Sequence, residues 1–164
     1  MKKILLIIYL VQISMLSYSQ KININFIISI DNNVNPTISN LIIKAIKNNT
    51  DTIVFNLDYS PGNLIMKKKD YQELLNKETE IISFELTYSE ICKENIEFYN
   101  YKIESFEKKW LKGYYFILYI YNTNKRKYKK IFNPIPTKEF TYEYDSPNGS
   151  LRRVTKRKRK KCLK

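Results

Sequence analysis

From Lys21 onward apolar and polar side chains alternate, most regularly in the first segment. Ile22, Ile24, Phe26, Ile28 and Ile30 interleave with Lys21, Asn23, Asn25, Ile27 and Ser29, the two-residue period of a strand with one buried face. Asp31-Asn32-Asn33-Val34-Asn35-Pro36 follows, a run of turn formers closed by a residue without an N–H, so the strand ends there. Residues 38–46 form a second candidate strand and Asn48-Asn49-Thr50-Asp51 the next turn. Ile53, Phe55, Leu57 and Tyr59 alternate again and stop at Ser60-Pro61-Gly62-Asn63. A short helix is expected over residues 70–76, capped by Asp70 with Glu73 three residues on. The preceding Lys67-Lys68-Lys69 reads as a solvated loop. Ile82, Phe84, Leu86 and Tyr88 predict a strand whose Ser83, Glu85 and Thr87 face water, and Tyr99, Tyr101 and Ile103 predict another. Residues 114–121 differ, with Tyr114, Phe116, Leu118 and Ile120 on one face and Tyr115, Ile117, Tyr119 and Tyr121 on the other. That pattern predicts a central strand covered on both sides. Asn122-Thr123-Asn124 then turns the chain into an expected strand over residues 126–132, and Phe140, Tyr142 and Tyr144 mark the last one.

Seven or eight strands joined by short polar turns predict an all-β fold, an antiparallel two-layer sandwich with one short helix. Eight Phe and fourteen Tyr against three Gly assign its burial to aromatic and β-branched groups, which fit a pleated surface. Leu111-Lys112-Gly113-Tyr114-Tyr115, followed by Phe116-Ile117-Leu118-Tyr119, resembles the Leu-x-Gly-x-Tyr lead-in to the penultimate strand of immunoglobulin-like and fibronectin-type sandwiches. Residues 41–53 are similar to a core strand and Asn-rich turn of bacterial secreted sandwiches of that kind. The resemblance implies an immunoglobulin-like architecture with a tyrosine corner; it transfers no active or binding residue. Ile117 stands where antibody-type domains carry their second Cys, and Trp110 lies just before the corner, so an antibody-type domain is not indicated.

Residues 1–20, MKKILLIIYLVQISMLSYSQ, read as a secretory signal peptide: Lys2 and Lys3, then an apolar core, then the small Ser17 and Ser19. Cleavage is expected after Ser19 or Gln20. The apolar run is shorter than the roughly 20 residues that span a bilayer, and no Cys follows the cleavage point for lipidation. The expected destination is the extracellular space or the periplasm and cell envelope. The organisation is then a signal peptide over 1–20, one sandwich domain over 21–150 and a disordered basic tail over 151–164. The formal charge of +13 is unevenly spread: +2 falls in residues 1–20, +9 in residues 151–164 and +2 in everything between. The basic balance therefore belongs to the tail.

The chain has no histidine and two cysteines, Cys92 and Cys162, which removes His-dependent nucleophilic systems and the commonest transition-metal ligand. The two thiols pair or remain free; both readings stay open. No GxGxxG, GxxxxGK[ST] or GxSxG motif occurs, and Asp31-Asn32-Asn33 lacks the Gly and the distal Glu of a calcium loop. Asn48-Asn49-Thr50 and Asn148-Gly149-Ser150 fit the glycosylation acceptor pattern and read as turns. No catalytic residue, metal site or cofactor is assigned. Glu85 and Glu90 are the sort of carboxylates a glycan hydrolase would use, but ion pairs explain them more simply. Tyr119, Tyr121, Arg126, Tyr128, Lys129 and Lys130 interleave aromatics with cations around an expected hairpin, a stacking surface for sugars or bases, or ordinary cross-strand pairs. The constellation with the clearest physics is Arg152, Arg153, Lys156, Arg157, Lys158, Arg159, Lys160, Lys161 and Lys164, an extended polycation suited to anionic lipid, polysaccharide or nucleic acid. The sequence thus predicts a secreted, noncatalytic interaction or structural module whose partner is an anionic surface or another envelope protein. A secreted carboxylate-based glycan hydrolase and a secreted protein inhibitor are the competing readings.

Overall fold

The computed structural model describes residues 20–48, 50–92, 95–133, 135–153 and 155–156. The strands are β1 (Lys21–Ile30), β2 (Thr37–Lys47), β3 (Asp51–Asn56), β4 (Asp58–Ser60), β5 (Asn63–Lys67), β6 (Thr79–Cys92), β7 (Asn95–Ile103), β8 (Phe116–Asn122), β9 (Phe140–Ser146) and β10 (Gly149–Leu151). Helix α1 (Lys68–Leu75) joins β5 to β6, a 3₁₀ turn occupies Lys108–Leu111, and α2 (Arg126–Ile131) joins β8 to β9. One sheet has the order β10-β9-β8-β1-β5-β4 and the other β3-β2-β6-β7. Their facing sides share one core, in which Phe26 of β1 meets Phe84 of β6 at 5.6 Å between ring centroids. Phe106 stacks on Phe84 at 4.6 Å, and Trp110 stacks on Phe116 at 4.6 Å. Aromatic rings from the β7–β8 connection therefore close one side of the sandwich.

The two-layer β architecture agrees with the alternation, while the strand count and direction do not. Ten strands stand among the described residues in place of seven or eight, and β1 runs parallel to β8, from Phe26 opposite Phe116 to Ile30 opposite Ile120. The sheet is mixed because a period of two decides which face a side chain takes and says nothing of strand direction. The set Ile53, Phe55, Leu57, Tyr59 divides into two strands in different sheets. The chain crosses between layers at Leu57, whose N–H donates to the Leu41 carbonyl at 2.9 Å. Both sheets face the same core, so the alternation continues unbroken across the switch.

Three further expectations change. Residues 126–131 form a helix and not a strand; Tyr128, Ile131 and Phe132 are spaced three and four apart, so they share a face, and Tyr128 and Phe132 are buried. Tyr114 is 91% exposed and precedes β8 instead of belonging to its core face. Lys68 and Lys69 open α1 in place of a loop; its N-cap is Lys67, with no side-chain cap. Asp70 is in the first turn, where its charge suits the helix dipole, and Glu73 binds Lys47 instead of reaching back. Ser83, expected in water, is fully buried and donates to Glu85 Oε1 at 2.8 Å.

Candidate functional site

The outer face of the six-stranded sheet carries the basic chemistry. Tyr119 and Tyr121 of β8 point outward from it, and α2 lies over Tyr121 through Tyr128 at 5.2 Å and Phe132 at 4.8 Å between ring centroids. With Tyr128 and Phe132 committed to packing, α2 presents Arg126, Lys127, Lys129 and Lys130 to solvent. None of these four has an acidic partner among the described residues. The expected hairpin of alternating aromatics and cations is thus a helix with separated faces, rings inward and charges outward.

The C-terminal segment begins inside the body. Leu151 closes β10 opposite Tyr144 and packs against the core. Arg152 reaches Glu143 and Asp145 at 3.7 and 3.4 Å and covers the Tyr119 ring. The Arg153 N–H donates to Glu143 Oε1 at 2.7 Å, its Nε donates to the Tyr142 carbonyl at 3.2 Å, and its guanidinium lies over the Tyr142 ring. Arg152 thus supplies the cation for Glu143, a carboxylate only 8% exposed, and the Arg153 backbone N–H supplies a hydrogen bond to it. Lys156 Nζ donates to the carbonyl of Lys129, 2.6 Å away on α2. Lys156, at the start of the basic run, therefore lies beside the basic helix, a proximity that 27 residues of separation conceal in the sequence. Arg157, Lys158, Arg159, Lys160, Lys161, Lys164 and Cys162 lie outside the described residues, as do residues 1–19 of the signal segment expected over 1–20.

A second cluster lies where the two layers meet. Lys125, at the N-cap of α2, sits 2.9 Å from Asp31 Oδ2 at the end of β1 and 2.6 Å from Glu90 Oε2 on β6 of the opposite sheet. Asp31 Oδ1 accepts from the Asn122 N–H at 2.8 Å, and the Asp31 N–H donates to the Ile120 carbonyl at 2.9 Å. Burial works against the charged amine, but the Asp31 and Glu90 carboxylates outweigh it and raise the Lys125 pKa. The Lys125 amine also lies 5.9 Å from the Tyr99 ring centroid. Tyr99 donates to Glu97, which with burial raises its phenol to about 12. Tyr101 is buried, its hydroxyl unpaired among the described residues, and its pKa is raised chiefly by that burial. Lys125 is a clasp between sheets, a role its place among basic neighbours hides.

The remaining carboxylates named from the sequence are occupied too. Glu85 pairs with Lys44 at 2.9 Å. Burial alone would raise its pKa, yet hydrogen bonds from Lys44 and Ser83 prevail and lower it. A cleft of about 520 Å³ runs along β7, lined by Phe98, Asn100, Lys102, Lys138 and Phe140. Lys138 crosses it to donate to the Lys102 carbonyl at 2.8 Å and to pair with Glu104 at 3.1 Å.

Comparison with protein-family models, curated proteins and solved structures gives no match.

Proposed function

We propose that this chain is an exported, noncatalytic sandwich module that attaches to anionic surfaces through one cationic face formed by α2 and the C-terminal run together. The observation that carries this reading is the Lys156 to Lys129 contact, which sets the start of the C-terminal run against α2. Arg126, Lys127, Lys129 and Lys130 are spread over the exposed side of a helix, so they suit an extended array of charges better than a single small anion. Near an anionic bilayer each cation contributes up to about 1 kcal/mol, decaying over roughly 8 Å at physiological salt.

Export rests on residues 1–20 and is compatible with the fold. The first strand starts at Lys21, and the Gln20 carbonyl accepts from the Lys68 N–H at 2.8 Å, satisfying the first donor of α1. Cleavage after Ser19 keeps this contact and cleavage after Gln20 removes it, which favours, of the two expected sites, the one that leaves Gln20 as the first residue. Intact-mass measurement of protein recovered from an exporting cell checks this, and an uncleaved chain contradicts it. The immunoglobulin-like affiliation belongs to the same proposal; the two-layer arrangement and the Leu111-x-Gly113-x-Tyr115 lead-in to β8 support it.

The attachment is tested by co-sedimentation with vesicles containing anionic phospholipid at 50 and 200 mM salt, alongside neutral vesicles. Binding only to the anionic vesicles, weakened steeply by salt, is expected; equal binding to both refutes an electrostatic attachment.

A further inference from the structure

We propose that β7 is a self-association edge, through which two copies pair antiparallel about a two-fold axis at Phe98 and join their four-stranded sheets. A strand edge is a row of unpaired backbone groups, and folded proteins blunt it by shortness, charge, proline or cover. The β4 and β10 edges are three residues each, with Asp58 of β4 held by Lys21 and Arg152 following β10. The β3 edge has six residues, whereas β7 has nine. Its last part is guarded, because Lys138 binds the Lys102 carbonyl.

That contact also shows which groups point outward. In an antiparallel pair the N–H and C=O of one residue point the same way and alternate along the strand. With the Lys102 carbonyl directed away from β6, the backbone groups of Asn100, Phe98 and Ile96 are directed away too. Among the described residues they have no hydrogen-bond partner. Ile96, Phe98 and Ile91 are 59%, 65% and 78% exposed. Ile91 stands opposite Ile96, and Phe98 is two residues on, so all three occupy the outer face of one hairpin.

A second copy fits this stretch because the stretch is self-complementary. With the axis at Phe98, Phe98 faces its own equivalent and Ile96 faces Asn100 of the other copy in both directions. Every free N–H and C=O of the three residues then finds a partner. The six apolar side chains merge into one patch, and the guarded Lys102 ends lie outside the paired stretch. The cationic α2 belongs to the other sheet and does not line this edge. Five paired residues and three side chains per copy fall at the low end of interface size, so a weak dimer is expected, populated only at high protein concentration.

Sedimentation velocity of the purified protein from about 2 to 200 µM tests the proposal. A concentration-dependent monomer–dimer equilibrium is expected, and Phe98→Lys should weaken it at least tenfold while leaving the circular dichroism spectrum and Tm unchanged, since Phe98 is exposed in the monomer. In a Cys92→Ser, Cys162→Ser background, Phe98→Cys should form a disulfide-linked dimer under mild oxidation faster than Val54→Cys on the β3 edge. Directly opposed strand residues lie within disulfide reach. A protein that stays monomeric at 200 µM overturns the proposal, even if an extended peptide from another protein occupies the edge. So does a dimer indifferent to Phe98→Lys, or faster linkage through position 54.

Discussion

At the scale of single residues, the clearest dependence of the fold on one side chain is Lys125. It holds Asp31, whose side chain is 10% exposed, and Glu90 across the gap between sheets. Replacing it by Met keeps the length of the stem and removes the charge, which leaves Asp31 buried beside no cation. Buried pairs lose about 3–5 kcal/mol on losing one partner; Lys125 is partly exposed, so about 2 kcal/mol is expected for Lys125→Met, read as a lower urea midpoint. Glu85 supplies the pH dependence. Its folded pKa is depressed below the ordinary carboxylate value, so the unfolded chain takes up the proton first as pH falls. Its contribution is complete above about pH 4.3, the unfolded value, and is lost as pH drops through the folded one. Urea midpoints of the wild type and Glu85→Gln should therefore differ at pH 6 and converge toward pH 3; a constant difference would show that Glu85 is not linked to acid unfolding. The apolar alternation announced the buried residues of β1 and β6 well. It gave no sign of the burial of Ser83, whose small hydroxyl donates to Glu85 beside Lys44.

At the scale of elements, β1 shows what period two leaves out. Its first half pairs with β5 and its second half with β8. Beyond the start of β5, the Phe26 N–H donates to the Gly62 carbonyl at 3.0 Å and the Ile28 N–H to the Tyr59 hydroxyl at 2.9 Å. Tyr59 thus replaces a missing strand with its side chain. Tyr59→Phe leaves a backbone donor unsatisfied and is expected to cost about 1–2 kcal/mol, with faster amide exchange at Ile28 as the local readout. Helix α2 was readable from Tyr128, Ile131 and Phe132, whose spacing is helical, but the preceding run of alternating aromatics drew the strand assignment onward. Six residues give a helix little stability of their own. Packing on Tyr121 and the turn closed by the Asn124 N–H on Asn122 Oδ1 at 2.9 Å decide it instead.

At the scale of the whole molecule, the layers were legible and the cationic face was only half so. The C-terminal run was visible as composition. Its continuation onto α2 depends on a contact between residues 27 apart, and Arg152 and Arg153 are held by β9 within the ordered body. A truncation at residue 151 would therefore disturb β10, whereas one after Thr155 removes the cations from Lys156 onward and keeps the sheet. The most direct measurement is co-sedimentation with anionic vesicles at 50 mM salt, comparing the wild type, the truncation after Thr155, and a variant with Arg126, Lys127, Lys129 and Lys130 changed to Gln. A single shared face predicts that each alteration weakens binding at least tenfold and that the combination abolishes it. Wild-type affinity in the helix variant, with its fold intact, would contradict the account.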